Sequence, residues 1–178
     1  MNNTFSKHQQ IGEVSTFMEL VNTNFYGAMN AICWHRNLDG DFSEIVSQLQ
    51  LKDNVTEVSV DDILALHLSE KGDIARKIIL NDLQLLTDFG ALPSLNLIKN
   101  YERDDEFDFI STDVYSFHVD RSPISTDTFL CTYYGASSDI IANDEVEQKI
   151  LIPEIRKKLK ELHDGTEDEF EAFLKEYY

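Results

Sequence analysis

A chain of 178 residues with 42% hydrophobic and 11% aromatic content can bury a real core, and its apolar residues recur too evenly for a disordered chain. Its 33 acidic residues against 15 basic ones give a formal charge of −18, which disfavours a nucleic-acid backbone or an anionic membrane surface as partner. There is no apolar run long enough for a membrane span and no signal-peptide core near the N-terminus. Cys33 and Cys131 lie in apolar runs and read as buried free thiols, so a single cytoplasmic domain is expected.

The first part of the chain, 1–102, reads mainly helical. Phe17, Leu20, Val21 and Phe25 recur at helical intervals within 15–29, although Asn22, Asn24 and Gly27 oppose a long helix. The bulky run Ala-Ile-Cys-Trp-His-Arg (31–36) before Asn-Leu-Asp-Gly predicts a strand and a turn. Asp41 with Glu44, and Ser59 with Asp62, are spaced as helix N-caps and their partners in the first turn. A longer helix is expected from about Asp73, with Ile74, Ile78, Leu85 and Phe89 on its apolar side. Gly90 and Pro93 should interrupt it, and a further turn or two is expected towards Tyr101.

The period then changes. Residues 107–120 and 126–134 alternate and are rich in aromatic and β-branched types, which predicts strands joined by Arg-Ser-Pro-Ile-Ser; a short strand is expected at 139–142. This makes 107–142 the expected strand core. Helix returns over 143–178, with Pro153 in a first turn, a stop near Gly165, and Thr166 with Glu169 as the capping box of a last helix. The fold class is α+β: an antiparallel sheet packed against helices from both ends of the chain.

Chemistry is hinted at in the sequence Phe-His-Val-Asp (117–120). On a strand, His118 and Asp120 share a face while Phe117 and Val119 point the other way. An imidazole and a carboxylate held side by side make two thirds of a facial metal site, and with one more His such a set suits non-haem Fe(II). The plainer reading is a strand-end His bonded to a neighbouring carboxylate. Arg121 is placed to pair a substrate carboxylate in a bidentate fork, although pairing with one of the many surface acids is the plainer reading.

The segment Phe-His-Val-Asp-Arg-Ser-Pro (117–123), followed by Cys-Thr-Tyr-Tyr-Gly (131–135) and Ile-Ile-Ala-Asn-Asp-Glu-Val (140–146), resembles an uncharacterised bacterial family, the domain of unknown function numbered eighteen twenty-six. Ala-Ile-Cys-Trp-His-Arg (31–36) is similar to that family's N-terminal segment. The resemblance covers about 30 residues, and its strand pattern is similar to the double-stranded β-helix, the cupin-like frame of Fe(II) and 2-oxoglutarate oxygenases. It implies iron on His118, Asp120 and a distal His, with 2-oxoglutarate as co-substrate. This chain departs from the pattern: the family's later His-Arg-small-Pro segment does not follow Asp120, and helix replaces the late strands. The chain is therefore expected to be truncated, or to draw its third ligand from elsewhere, with His35 preferred over His67 and His163.

His163, in Glu-Leu-His-Asp-Gly, reads as a helix C-terminal residue, His67 as a partly buried structural side chain, and Cys131 as core filler. No phosphate loop, Cys-x-x-Cys pair, His-Glu-x-x-His or Gly-x-Ser-x-Gly is present. Two functions follow as expectations. One is a non-haem Fe(II) oxygenase-like enzyme acting on a small molecule or peptide, with a cationic group suiting the acidic surface. The other is a non-catalytic acidic interaction protein that keeps the fold but not the site, as a homodimer or with a basic protein partner.

Overall fold

The computed structural model describes residues 10–104, 106–119 and 124–178. They fall into two compact units, Met1–Ile98 and Lys99–Tyr178. The fold is α+β.

The first unit starts with strand β1 (Ile11–Val14), where Gly12 and Val14 face inward and Glu13 outward. Helix α1 (Phe17–Asn22) follows, capped by the Thr16 side chain, which accepts from the Glu19 backbone N–H. The expected helix over 15–29 stops here, as Asn22, Thr23 and Asn24 favour local side-chain bonding over helix continuation. Strand β2 (Ala31–Trp34), predicted from its bulky residues, pairs with β1 in parallel, Glu13 opposite Cys33 and Val14 opposite Trp34. Parallel pairing needs a crossover of about a dozen residues or more, and 15–30 supply it. The Trp34 indole N–H donates to the Ser15 carbonyl at 2.9 Å and ties the two strand ends.

Helix α2 (Phe42–Gln48) opens at Asp41, whose carboxylate accepts from the Glu44 N–H as the spacing predicts. The Glu44 side chain does not return to its own cap. It accepts from the Ser69 N–H at 2.8 Å and from the Ser69 hydroxyl at 2.6 Å, placing a carboxylate at the N-terminus of helix α4 (Glu70–Phe89). Strand β3 (Val55–Glu57) leads to helix α3 (Val60–Leu64), where the predicted Ser59–Asp62 capping box forms in both directions. In α4, Gly72, Ala75, Ile79 and Asp82 make a buried stripe at helical spacing. Gly40, at φ +119°, lets the chain pass against that stripe: a Cβ there would stand 2.7 Å from the Ala75 backbone nitrogen. Gly90, at φ +94°, ends α4. The stretch after Pro93 is strand β4 (Asn96–Ile98), antiparallel to β3, where further helical turns are expected from the sequence.

The second unit holds a correction. Its described residues 106–119 and 124–142 contain no strand: the expected strands are not formed over 107–119, 126–134 or 139–142, the end of the first at Asp120 lying outside the described residues, and no double-stranded β-helix is seen among them. Alternation supplies two faces but no ladder, and local side-chain bonds to backbone take over in 101–116. Two single 3₁₀ turns, Asn143–Glu145 and Lys149–Leu151, precede helix α5 (Pro153–Leu162) and helix α6 (Glu167–Tyr177). Pro153 stands in the first turn, and Thr166 with Glu169 forms the predicted capping box. The core is Ile110, Leu159, Phe170 and Leu174, flanked by Phe107, Phe109, Ile155, Phe173 and Tyr178. Burial, then the charges of Glu106 and Asp104, raise the Tyr178 phenol above its ordinary pKa. His163 is the C-cap of α5, as the sequence predicts, and it also reaches α6: its Nε2–H donates to the Thr166 carbonyl and its ring lies 4.9 Å from that of Phe173.

Candidate functional site

His118 follows a loop closed by two carboxylates. Asp104 accepts from the Thr112 N–H at 2.8 Å, the Thr112 hydroxyl at 2.7 Å and the Glu106 N–H at 3.2 Å. Asp113 accepts from the Asp104 N–H at 3.0 Å and the Tyr115 N–H at 2.9 Å. Hydrogen bonds from Thr112 hold the Asp104 carboxyl below its ordinary pKa, and the Asp104 N–H does the same for Asp113. The Tyr101 N–H donates to the Tyr115 hydroxyl at 2.9 Å, and the Arg103 guanidinium lies 3.7 Å over the Tyr115 ring.

Two residues past this loop, His118 Nδ1 is 2.7 Å from the Ser116 carbonyl oxygen. A carbonyl can only accept, so Nδ1 carries a proton and donates it to this oxygen. A bond of this kind fixes the tautomer and orientation of an imidazole. Asp120 and Arg121 lie outside the described residues. Among the described residues, no group of three His, Cys, Asp or Glu is arranged to hold a metal ion.

The first unit gathers a different set. On the outer face of β1 and β2, the Cys33 sulfur is 3.8 Å from His35 Nδ1, and His35 Nε2 is 3.7 Å from a Glu13 carboxylate oxygen. Register puts Glu13 beside Cys33, and strand alternation puts His35 on the same side. Beyond His35 an open groove of about 740 Å³ runs between residues 34–39 and the Ile74, Lys77, Ile78 and Asn81 side of α4. Its wall is stiffened by Arg36, which lies 4.3 Å over the Trp34 ring and grips Asp82 in a bidentate pair at 2.7 and 2.8 Å.

His35 was singled out in sequence as a third iron ligand; the structure places it in the first unit, with its two nitrogens facing Cys33 and Glu13. His67 is exposed, not half-buried, because it sits in the turn between α3 and α4. Cys131 forms no disulfide and is exposed, since without a ladder no residue of 126–134 is fully buried, and Cys33 forms no disulfide and is half-buried. Glu13 was missed. Its signal is the alternation of Ile11, Gly12, Glu13 and Val14, too short to stand out without knowledge of its partner strand.

No protein-family model, no curated protein and no solved structure matches this chain. No helix among the described residues is long and apolar enough to cross a membrane.

Proposed function

We propose that this chain is a non-haem Fe(II)-dependent, oxygenase-like protein in which His118 and Asp120 hold the metal. The observation that carries the reading is the Nδ1 bond of His118 to the Ser116 carbonyl, which presets Nε2 as the ligating atom and hangs the ring from a loop already closed by Asp104 and Asp113. Asp120, two residues on, supplies the carboxylate, and His35 is left to its own strand face. The chemistry contributed by the bound group is dioxygen activation at open coordination positions, with 2-oxoglutarate as co-substrate. Arg121 pairs the co-substrate carboxylate through its planar fork. The acidic balance of the chain suits a small molecule or peptide with a cationic group. The test is anaerobic Fe(II) loading of wild type, His118→Ala and Asp120→Ala. About one iron per chain, lost in both variants, is expected; equal iron in all three removes the assignment.

A second reading has its own observation: Phe117, Val119, Ile124, Leu130, Tyr134 and Ile140 are exposed in a strongly acidic chain. Such residues fit a non-catalytic protein that binds a basic partner. Capture of that partner at low salt and its loss at high salt supports this reading; absence of capture at either salt counts against it.

A further inference from the structure

Glu13, Cys33 and His35 are joined in the order that an activated thiol requires. A nucleophilic sulfur needs a base within reach of its proton, and the base needs a third group to fix its ring. Here the thiol approaches His35 Nδ1 at 3.8 Å and the Glu13 carboxylate approaches the opposite nitrogen at 3.7 Å. The pairing is consistent with one tautomer, Nε2–H pointing to Glu13 and the Nδ1 lone pair to sulfur. Three features make the set more than a chance of neighbours. It spans two strands through their register, its base also lines the groove beside Trp34, Ile74 and Ile78, and its sulfur is half-buried while its base is open to solvent.

We propose that Cys33 is a base-assisted nucleophile for α,β-unsaturated carbonyl compounds that reach the outer face of β1 and β2, with His35 as its base and Glu13 as a positioning residue. Sulfur is soft and polarisable, and so is the β-carbon of such a compound. As the sulfur lone pair forms the S–C bond, the thiol proton passes to His35 Nδ1 and the C=C π pair moves to the α-carbon and its carbonyl as an enolate. His35 then returns the proton to the α-carbon. No leaving group, oxidant or second reactant is needed, and the product is a thioether. This assignment is independent of iron at His118.

Cys131 provides the control. It is exposed and Cys33 is half-buried, so accessibility alone makes Cys131 the faster thiol. The experiment labels the full chain with N-ethylmaleimide and follows each cysteine peptide by mass spectrometry over time. The expected result is that Cys33 reacts faster than Cys131, and that His35→Gln slows Cys33 about ten-fold or more while Cys131 keeps its rate. Glu13→Gln should slow Cys33 by less, and Glu13→Asp should restore part of the loss, which a structural role on this exposed face would not produce. The unchanged Cys131 rate and far-UV circular dichroism show that each variant is folded. Faster labelling of Cys131, or a Cys33 rate indifferent to His35→Gln, overturns the proposal.

Discussion

The two units are held in different ways. The first is tied by backbone ladders between segments distant in sequence: β1 with β2, and β3 with β4 across residues 58–95. Its long helix α4 is anchored at two points, by Glu44 at the N-terminus and by the Arg36–Asp82 fork at the last residue of the buried stripe. In the second unit no ladder forms among the described residues. A helical pair and three residues of the preceding loop share an apolar cluster, and the rest is fastened by side chains bonded to nearby backbone. The lesson is that alternating, β-prone sequence does not make a sheet. Without a partner strand its backbone groups turn to Asp, Thr and Ser, which local spacing always provides.

The largest test of this contrast is Leu159→Ala. Leu159 is fully buried at the centre of the apolar cluster that carries the second unit. The substitution should cost about 4 kcal/mol, from lost transfer energy and the cavity left among Ile110, Phe170 and Leu174. Urea unfolding followed by circular dichroism measures it. A loss below about 1 kcal/mol would mean that the unit does not depend on this cluster.

Next in size is a pair of glycines. Gly40→Ala places a Cβ 2.7 Å from the Ala75 backbone at φ +119°, so both strain and contact oppose it. The expected cost is about 3 kcal/mol. Gly90→Ala meets nothing within 4 Å, and at φ +94° it bears the conformational cost alone, about 1 kcal/mol. Equal losses would show that the approach of the 39–41 turn to α4 is not a packing constraint.

These differences follow what could be read from sequence. The caps at Asp41, Ser59 and Thr166 were legible because donor and acceptor lie three residues apart, and so were Pro153 in its first turn and Gly90 at the end of α4. Strands β1, β3 and β4 have three or four residues each and exist through pairing, which no local window contains. Alternation in 107–116 was legible as propensity, but the bonds of Asp104 to Thr112 and of Asp113 to Tyr115 decide the conformation there. For the sites, His118 stood out through its neighbour Asp120, whereas Glu13 joins Cys33 and His35 through strand register, and register is invisible until the crossover is known.

The finest test separates the two kinds of fastening by pH. Asp104 and Asp113 are both held below the ordinary carboxyl value of about 3.9 by hydrogen bonds that their charged forms accept. A depressed pKa in the folded state means that the unfolded chain binds more protons in the window between the two values. The contribution is therefore fully present above pH 4 or so, and is lost as pH falls through the lower folded value. Protonation removes acceptors from the Thr112 and Tyr115 N–H groups, so the 104–116 loop should open in acid. With it goes the position of Ser116, on whose carbonyl His118 is oriented. The ladders of the first unit are backbone-to-backbone bonds that no carboxylate accepts, so they should not follow the same titration. Amide chemical shifts of Thr112 and Tyr115, set beside those of Ile32 and Leu97 from pH 6 to pH 2, measure the difference. Asp104→Asn should displace the Thr112 signal at neutral pH towards its acid position, because one oxygen of the carboxylate becomes a donor. If Thr112 and Tyr115 hold their shifts down to pH 2, the carboxylates do not close this loop, and the orientation of His118 needs another cause.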